Sequence, residues 1–334
     1  MKLIIDAMGG DNAPLEIVKG AWKGCREHGI FPVFVGDTDK VKPILDQLGA
    51  KEEEYALRDC KKSIAMEDDP MSILRENRDC SMAEGLKLLK SDGDAFLSAG
   101  NTGALVTGAS SRVIFGKTRG VKRAAIASVL PLTNPVLLMD SGANIEVSPE
   151  ELLQFAVMGS AYMEHLMKVP SPRVGLINNG SESTKGTALY RESHELFSRT
   201  DSINFIGNVE GRDVPLGACD VCVCDGFVGN IILKLCEGFG KFMSASLKEM
   251  FYHDTLSKLG GLLAKKGIKD LKDRLDHKKY GGAPILGIPK PVIKAHGSST
   301  AEAVVSAVRQ ALYFHENGIC KKIEELCSNK SREE

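Results

Sequence analysis

Short apolar runs alternate along the chain with longer segments in which apolar residues recur every three or four positions, a pattern that predicts strands and helices in turn. Residues 2–6, 31–35 and 94–98 read as strands, with a weaker one at 55–60. Further strands fall at 124–130, 135–139, 173–177, 203–206, 219–224 and 292–295. Helices fill the intervals. Asp11 or Asn12 caps one whose first turn accepts Pro14, and 70–90 reads as a helical segment in which Arg75 and Arg78 share a face. Residues 149–167 have little polar face and predict a buried helix, and 301–314 form another. From Phe239 the apolar residues Phe242, Met243, Leu247, Met250 and Phe251 recur at helical spacing. Leu259, Leu262, Leu263, Ile268, Leu271 and Leu275 continue them after a break at Gly260-Gly261, so 239–279 predicts a helical hairpin. The charged tail after Cys320 reads as a frayed helix end. Repeated strand then helix means an α/β fold on a mostly parallel sheet.

Six of the strand-to-helix junctions are polar, glycine-bearing turns, at 9–12, 98–105, 140–144, 178–186, 225–230 and 296–299. In an open parallel sheet such turns share one rim, outside the carboxyl ends of the strands, where ligands bind. Gly100 and Gly103 let main chain approach a ligand, Asn101 and Thr102 add side-chain hydrogen bonds, and the following helix presents its positive end to an anion. This turn reads as one wall of a phosphate site. Asp6 ends an all-apolar strand, so its carboxylate either faces that rim or has a buried partner. Lys185 stands just before Gly186 and a helix start, where a cation opposes the helix dipole. It is either balanced by a bound anion or a loop lysine in solvent.

With 334 residues and 43% hydrophobic content the chain can bury a large core in one domain or two. Its 34 glycines, about a tenth of the chain, concentrate in the turns. Nine cysteines and no charged-then-apolar leader argue against a secreted disulfide scaffold and for a cytoplasmic protein, with Cys222 and Cys224 as core thiols rather than metal ligands. No stretch reaches the roughly 20 apolar residues that span a bilayer. The net charge of −1 conceals an asymmetry: residues 241–279 hold ten Lys or Arg against five Asp or Glu, a local basic surface.

Asp6-Ala-Met-Gly-Gly-Asp11, Ser98-Ala-Gly-Asn-Thr-Gly-Ala104, Gly142-Ala-Asn144, Leu152-Leu-Gln-Phe-Ala156, Met158-Gly-Ser160, Asp225-Gly-Phe-Val-Gly-Asn230, Tyr280-Gly-Gly-Ala-Pro-Ile-Leu-Gly287 and His296-Gly-Ser-Ser299 stand in one order and spacing. Together they resemble the bacterial acyl-ACP:phosphate acyltransferase family, PlsX, from residue 1 to about 315. The chain departs from that pattern at Asn12, where the family has His, and at 77–80, where it is richer in Lys and Ser. The resemblance implies transfer of a long-chain fatty acyl group from acyl carrier protein to inorganic phosphate, giving acyl phosphate for phospholipid (phosphatidic acid) synthesis. It also implies a three-layer α/β/α sandwich related to phosphotransacetylase and isocitrate dehydrogenase-like folds, with the whole of 1–334 as one catalytic domain and the hairpin protruding. A homodimer is implied, associated peripherally with the inner face of the cell membrane and handing product to a glycerol-3-phosphate acyltransferase, with no cofactor, metal or nucleic acid.

Phosphate is already an anionic nucleophile, so attack on a thioester needs no Ser-His-Asp activation, and no G-x-S-x-G elbow is present. By similarity, Lys185 is the cation for phosphate or oxyanion, Asn230 an amide donor, and His296 either the acid for the leaving thiolate or a cap on its own turn. Asp6, Gly9, Gly10, Asn101, Thr102, Gly103, Asn144, Asp225, Gly229 and Ser298 are expected to position phosphate and substrate. Leu259, Leu262, Leu263, Lys265, Lys266 and Lys269 are expected to touch membrane and carrier. The alternatives are a phosphotransacetylase using acyl-CoA and a non-catalytic acyl-chain sensor; a nicotinamide-dependent dehydrogenase lacks its G-x-G-x-x-G after the first strand.

Overall fold

The computed structural model describes residues 1–132, 134–269 and 281–330. Eleven strands form one sheet: β1 (Lys2–Asp6), β2 (Phe31–Gly36), β3 (Ala56–Asp59), β4 (Ala95–Ser98), β5 (Ala125–Leu130), β6 (Val136–Met139), β7 (Arg173–Asn178), β8 (Asn204–Glu210), β9 (Val221–Val223), β10 (Ala283–Leu286) and β11 (Val292–Lys294). Their order is β3-β2-β1-β4-β11-β10-β5-β6-β9-β7-β8. Leu3 and Ile5 enter one core and Ile4 the core on the opposite face, all fully buried, which is why the strand reads as a continuous apolar run.

Helices α1 (Leu15–His28), α2 (Thr38–Gln47), α5 (Pro149–His165), α6 (Ala188–Ser198), α9 (Ala301–Glu316) and α10 (Ile319–Lys330) cover one face. The other carries α3 (Ser81–Ser91), α4 (Thr102–Ser110) and α7 (Gly226–Tyr252), with α8 (Thr255–Leu263) packed against α7. This is the expected three-layer α/β/α arrangement. All nine cysteines are free thiols, seven of them buried and none fully exposed.

The sheet corrects the expectation of a single ligand rim. Strands β3, β2, β1, β4 and β11 run parallel, β10 is antiparallel to both its neighbours, and β5 is antiparallel to β6. Consequently β6, β9, β7 and β8 point opposite to β1. The turns after β1, β4 and β11 lie on one rim, with the N-terminus of α4. Those after β6, β7 and β9 lie on the other, with the N-terminus of α7.

Three local expectations also change. Residues 70–90 are not one helix: a 3-10 turn at Pro70–Leu74 is followed by α3, because Arg75 leaves helical geometry. The shared face of Arg75 and Arg78 disappears with it. The hairpin bends at His253 and Asp254, where the Asp254 carboxylate caps α8 through Ser257 N at 2.7 Å, while Gly260 and Gly261 lie inside α8. Its second half, with Leu271 and Leu275, lies outside the described residues. Beyond Cys320 the chain is helical rather than frayed, since Ile319, Ile323 and Cys327 recur every fourth residue and pack into the core under α5.

Candidate active site

On the α7 rim a buried carboxylate builds the frame. Asp140 is fully buried and accepts hydrogen bonds from Ile126 N (3.1 Å), Gly142 N (3.2 Å), Ala143 N (3.1 Å), Asn144 N (2.7 Å) and Asn144 Nδ2 (2.8 Å). Burial raises its pKa against the pull of these donors. Asn144 also donates to the Ala124 carbonyl at 2.9 Å, so both its amide protons serve the turn and neither is left for an anion. The Asn144 carbonyl accepts Gly226 N at 2.7 Å and docks α7 on the turn. Gly229 is needed there: a Cβ would overlap the Asp140 carbonyl oxygen.

Asp225 caps α7 through Phe227 N and Val228 N, both at 2.9 Å, and accepts the Tyr190 hydroxyl at 2.7 Å. Burial above all pushes the Tyr190 hydroxyl well above its ordinary range. The first-turn amides of α7 are thereby all occupied, contrary to the expectation that they would hold phosphate. Besides exposed hydroxyls of the lysine loop such as Ser183 and Thr184, two polar side chains suited to an anion remain open. Asn230 is half-buried one turn into α7, against Gly142, with no hydrogen-bond partner among the described residues. Lys185 is exposed and makes no ion pair among them. Asn178 Nδ2 holds the Lys185 carbonyl at 3.2 Å, and Leu176 is in register with Val223 on the adjacent parallel strand. The lysine loop therefore leaves the sheet beside Asp225 and the start of α7.

On the α4 rim Asp6 resolves in favour of a buried partner. Ser81 Oγ and Ser98 Oγ each donate to it at 2.7 Å, Met8 N at 3.3 Å, and Ser98 Oγ accepts Gly100 N at 3.0 Å. Gly9 permits close approach, because a Cβ there would stand 2.6 Å from the Asp6 carboxylate and 2.7 Å from Gly100 N. Gly10, with φ of +105°, does the same against Ala99 and the Gly297 carbonyl. Asn101 is also consumed: its carbonyl caps α4 through Ala104 N at 3.0 Å, and its amide donates to Met66 O and Asp68 O, both at 3.0 Å. The backbone N–H groups of Thr102 and Gly103 remain open at the start of α4. His296 Nδ1 lies 2.9 Å from Ser298 Oγ and accepts Ser298 N at 3.2 Å, so this exposed ring caps its own turn.

Beneath this rim lies a residue the sequence reading passed over. Lys294 ends β11 buried, donating to the carbonyls of Ala99, at 3.3 Å, and Ala295. Burial pushes its pKa down to about 8 against the pull of Asp11 and Asp6. A lysine inside an otherwise apolar strand was the available signal. Away from both rims, Leu259, Leu262 and Leu263 stand 56%, 66% and 82% exposed, with Lys265, Lys266 and Lys269 exposed beyond them. No described helix is long and apolar enough to cross a membrane, and no described cluster of His, Cys, Asp or Glu has metal-binding geometry.

Comparison with known proteins gives the chemistry. A family model described as fatty acid synthesis protein matches residues 1–322. The phosphate acyltransferase of Thermoanaerobacter pseudethanolicus is 44% identical over 328 residues, covering 97% of both chains. That of Thermoanaerobacterium thermosaccharolyticum is 42% identical over 326 residues, 97% of this chain and 96% of the relative. Among solved structures, a phosphotransacetylase from Streptococcus pyogenes superposes with a TM-score of 0.64 at 17% identity, over 95% of this chain and 94% of that one. A branched-chain phosphotransacylase from Enterococcus faecalis gives 0.58 at 16%, over 94% and 99%. At these identities the two structures speak for the fold alone.

Proposed function

The chain belongs to the fatty acid synthesis protein family and is a phosphate acyltransferase, and we propose that it moves a long-chain acyl group from the thioester of acyl carrier protein to inorganic phosphate, supplying acyl phosphate for phosphatidic acid synthesis. The observation that carries this reading is the pair of open side chains on the α7 rim, Lys185 and Asn230, around a frame in which the Asp140, Asn144 and Asp225 side chains are engaged in hydrogen bonds of their own. Phosphate needs no base. It needs charge neutralisation, placement against the thioester carbon, and donors for the oxyanion. Lys185 supplies the charge and Asn230 a neutral donor.

The groups on the other rim are the open N–H pair of Thr102 and Gly103, with His296 and Ser298. We assign them to the same reaction through a homodimer. An isologous two-fold contact that places the α4 rim of one protomer against the α7 rim of its partner does so twice, giving two equivalent sites. The uncovered apolar face of α7, with Phe227, Ile231, Leu235, Phe239 and Phe242, supports such pairing. The tip of the hairpin, Leu259 to Lys269, then serves as the contact with anionic membrane.

The test is release of free thiol from palmitoyl acyl carrier protein and from palmitoyl-CoA, with and without phosphate. Phosphate-dependent release from the carrier thioester, reduced roughly 100-fold or more in Lys185→Ala, is expected. Phosphate-independent release, or preference for the CoA thioester, refutes the reading. Mixing Lys185→Ala with His296→Ala protomers is expected to restore activity that neither has alone; failure to complement refutes the shared site.

A further inference from the structure

Residues 95–139 hold five Lys or Arg and no Asp or Glu, and all five cations fall within 112–123, between α4 and β5. The sequence reading placed carrier contact on the hairpin and left this run unused. It lies on the α7 rim. Its last residue precedes Ala124, whose carbonyl accepts Asn144 Nδ2 at 2.9 Å, and Ile126 N donates to Asp140. The segment thus borders the turn that seats α7 and Asn230. It is held in place by backbone bonds, Gly116 N to Ala109 O at 3.1 Å and Thr118 N to Gly287 O at 3.0 Å.

Its charge is only partly balanced. Arg123 pairs with Glu151 at 2.9 Å, and Lys122 lies near enough to Glu150 to help hold that carboxyl below its ordinary range, after the hydrogen bonds from Ser148 and the backbone. Lys117 donates to a carbonyl, that of Lys122. Arg112, Lys117 and Arg119 are exposed and have no carboxylate within ion-pair distance among the described residues. Two exposed aliphatic side chains accompany them, Val113 in the run and Ile145 after Asn144, 70% and 71% exposed. Cations around exposed aliphatic surface, at the border of a reaction centre, suit a partner that is acidic with an apolar contact of its own.

We propose that the 112–123 segment is the docking surface for an acidic protein that presents the thioester, with Arg112, Lys117 and Arg119 steering it so that its acyl-bearing arm enters beside Asn230. This rests on the acyl carrier reading above. The three cations touch no reacting atom. Their contribution is to encounter and orientation, and it weakens with salt.

The experiment compares one acyl group on two donors, palmitoyl acyl carrier protein and palmitoyl pantetheine, with Arg112→Glu, Lys117→Glu and Arg119→Glu combined. KM for the carrier donor is expected to rise roughly tenfold or more at low salt with kcat held. The pantetheine donor is expected to be unaffected, and a triple Gln variant to fall between. Equal losses on both donors would mean that the segment shapes the site itself, and an unchanged carrier KM would mean that the partner docks elsewhere; either overturns the proposal. So would weakened binding to phosphatidylglycerol vesicles with unchanged donor kinetics, which would assign the patch to lipid. If the wild type releases thiol from pantetheine but never from the carrier, the donor reading fails first, before any variant is made.

Discussion

Gly229 and Gly238 lie on the same helix, α7, and the structure assigns them opposite responses to one added methyl group. At Gly229 a Cβ would meet the Asp140 carbonyl oxygen about an ångström inside the 3.0 Å at which Cβ atoms stop approaching, and would stand 3.1 Å from Cys224 Sγ. The oxygen is backbone, fixed by a turn whose carboxylate collects five donors, so no flexible side chain can give way. Overpacking of this kind costs about 1–3 kcal/mol, and a rigid obstacle puts it at the upper end, about 3 kcal/mol. Relief requires α7 and the Asp140 turn to part by about an ångström, a displacement that costs on the order of 100-fold in rate when it separates groups acting together. At Gly238 nothing lies within 4 Å of the added carbon, so alanine brings only its helix propensity, a gain of about 0.5–1 kcal/mol. Urea unfolding of both variants, read as midpoint shifts at constant slope, measures the energies, and phosphate-dependent thiol release measures the displacement. A Gly229→Ala protein within about 0.5 kcal/mol of wild type and fully active would refute the reasoning, because it would show that α7 is not seated on Asp140 as described.

Other outcomes follow from single groups. Lys294 has a folded pKa of about 8 against an ordinary 10.5. Between those values the unfolded chain holds a proton the folded chain has released, so this lysine makes stability rise with pH, by at most about 3 kcal/mol. Below about 8 both states hold the proton and its full burial cost remains. The stability of Lys294→Met minus that of wild type is therefore expected to shrink as pH rises from 8 towards 10.5; a flat difference would mean that the ammonium is not desolvated. Replacing Leu262 and Leu263 together by Glu is expected to lower partitioning onto anionic vesicles at least tenfold, roughly the loss of one buried leucine, with soluble turnover intact. Vesicle binding that survives the change removes the tip from the membrane contact.

The sequence pattern located ten of the eleven strands closely because strands covered on both faces, such as Leu3-Ile4-Ile5, leave no polar position to confuse them, but it reads 280–287 as a loop, where β10 lies at Ala283–Leu286. It was silent on direction. Nothing in Pro284-Ile-Leu286 says that β10 lies antiparallel to both neighbours, yet that reversal sends the six glycine turns to two rims. Asn101 and Asn144 were visible as turn amides, but whether an amide faces a ligand or its own chain depends on carbonyls distant in sequence, those of Met66, Asp68 and Ala124. The last helix was masked by charge: Lys321, Lys322, Glu324 and Glu325 surround the buried stripe of Ile319, Ile323 and Cys327. Lys185 could be singled out because a cation before a helix start opposes the helix dipole, whereas Asn230 came only from the family resemblance. The internal bonds that leave these two open could not be read from the sequence.

The concealment of the thiols carries a chemical consequence. An acyl thioester exchanges its acyl group with any accessible thiolate, and only the thiolate form is nucleophilic. Burial pushes Cys80 up to about 11 and both Cys25 and Cys320 up to about 12 and raises Cys224 well above the ordinary range, while the hydrogen bond with Cys219, and then burial, do the same for Cys222. Cys224 lies directly under the Asp140 turn, its sulfur 3.7 Å from the Asp140 carbonyl, and is out of contact with solvent. With the thioester donor proposed above, these buried thiols are guarded against being acylated by it. Phosphate then meets no competitor among these buried thiols, and each turnover ends on a diffusible product rather than on them.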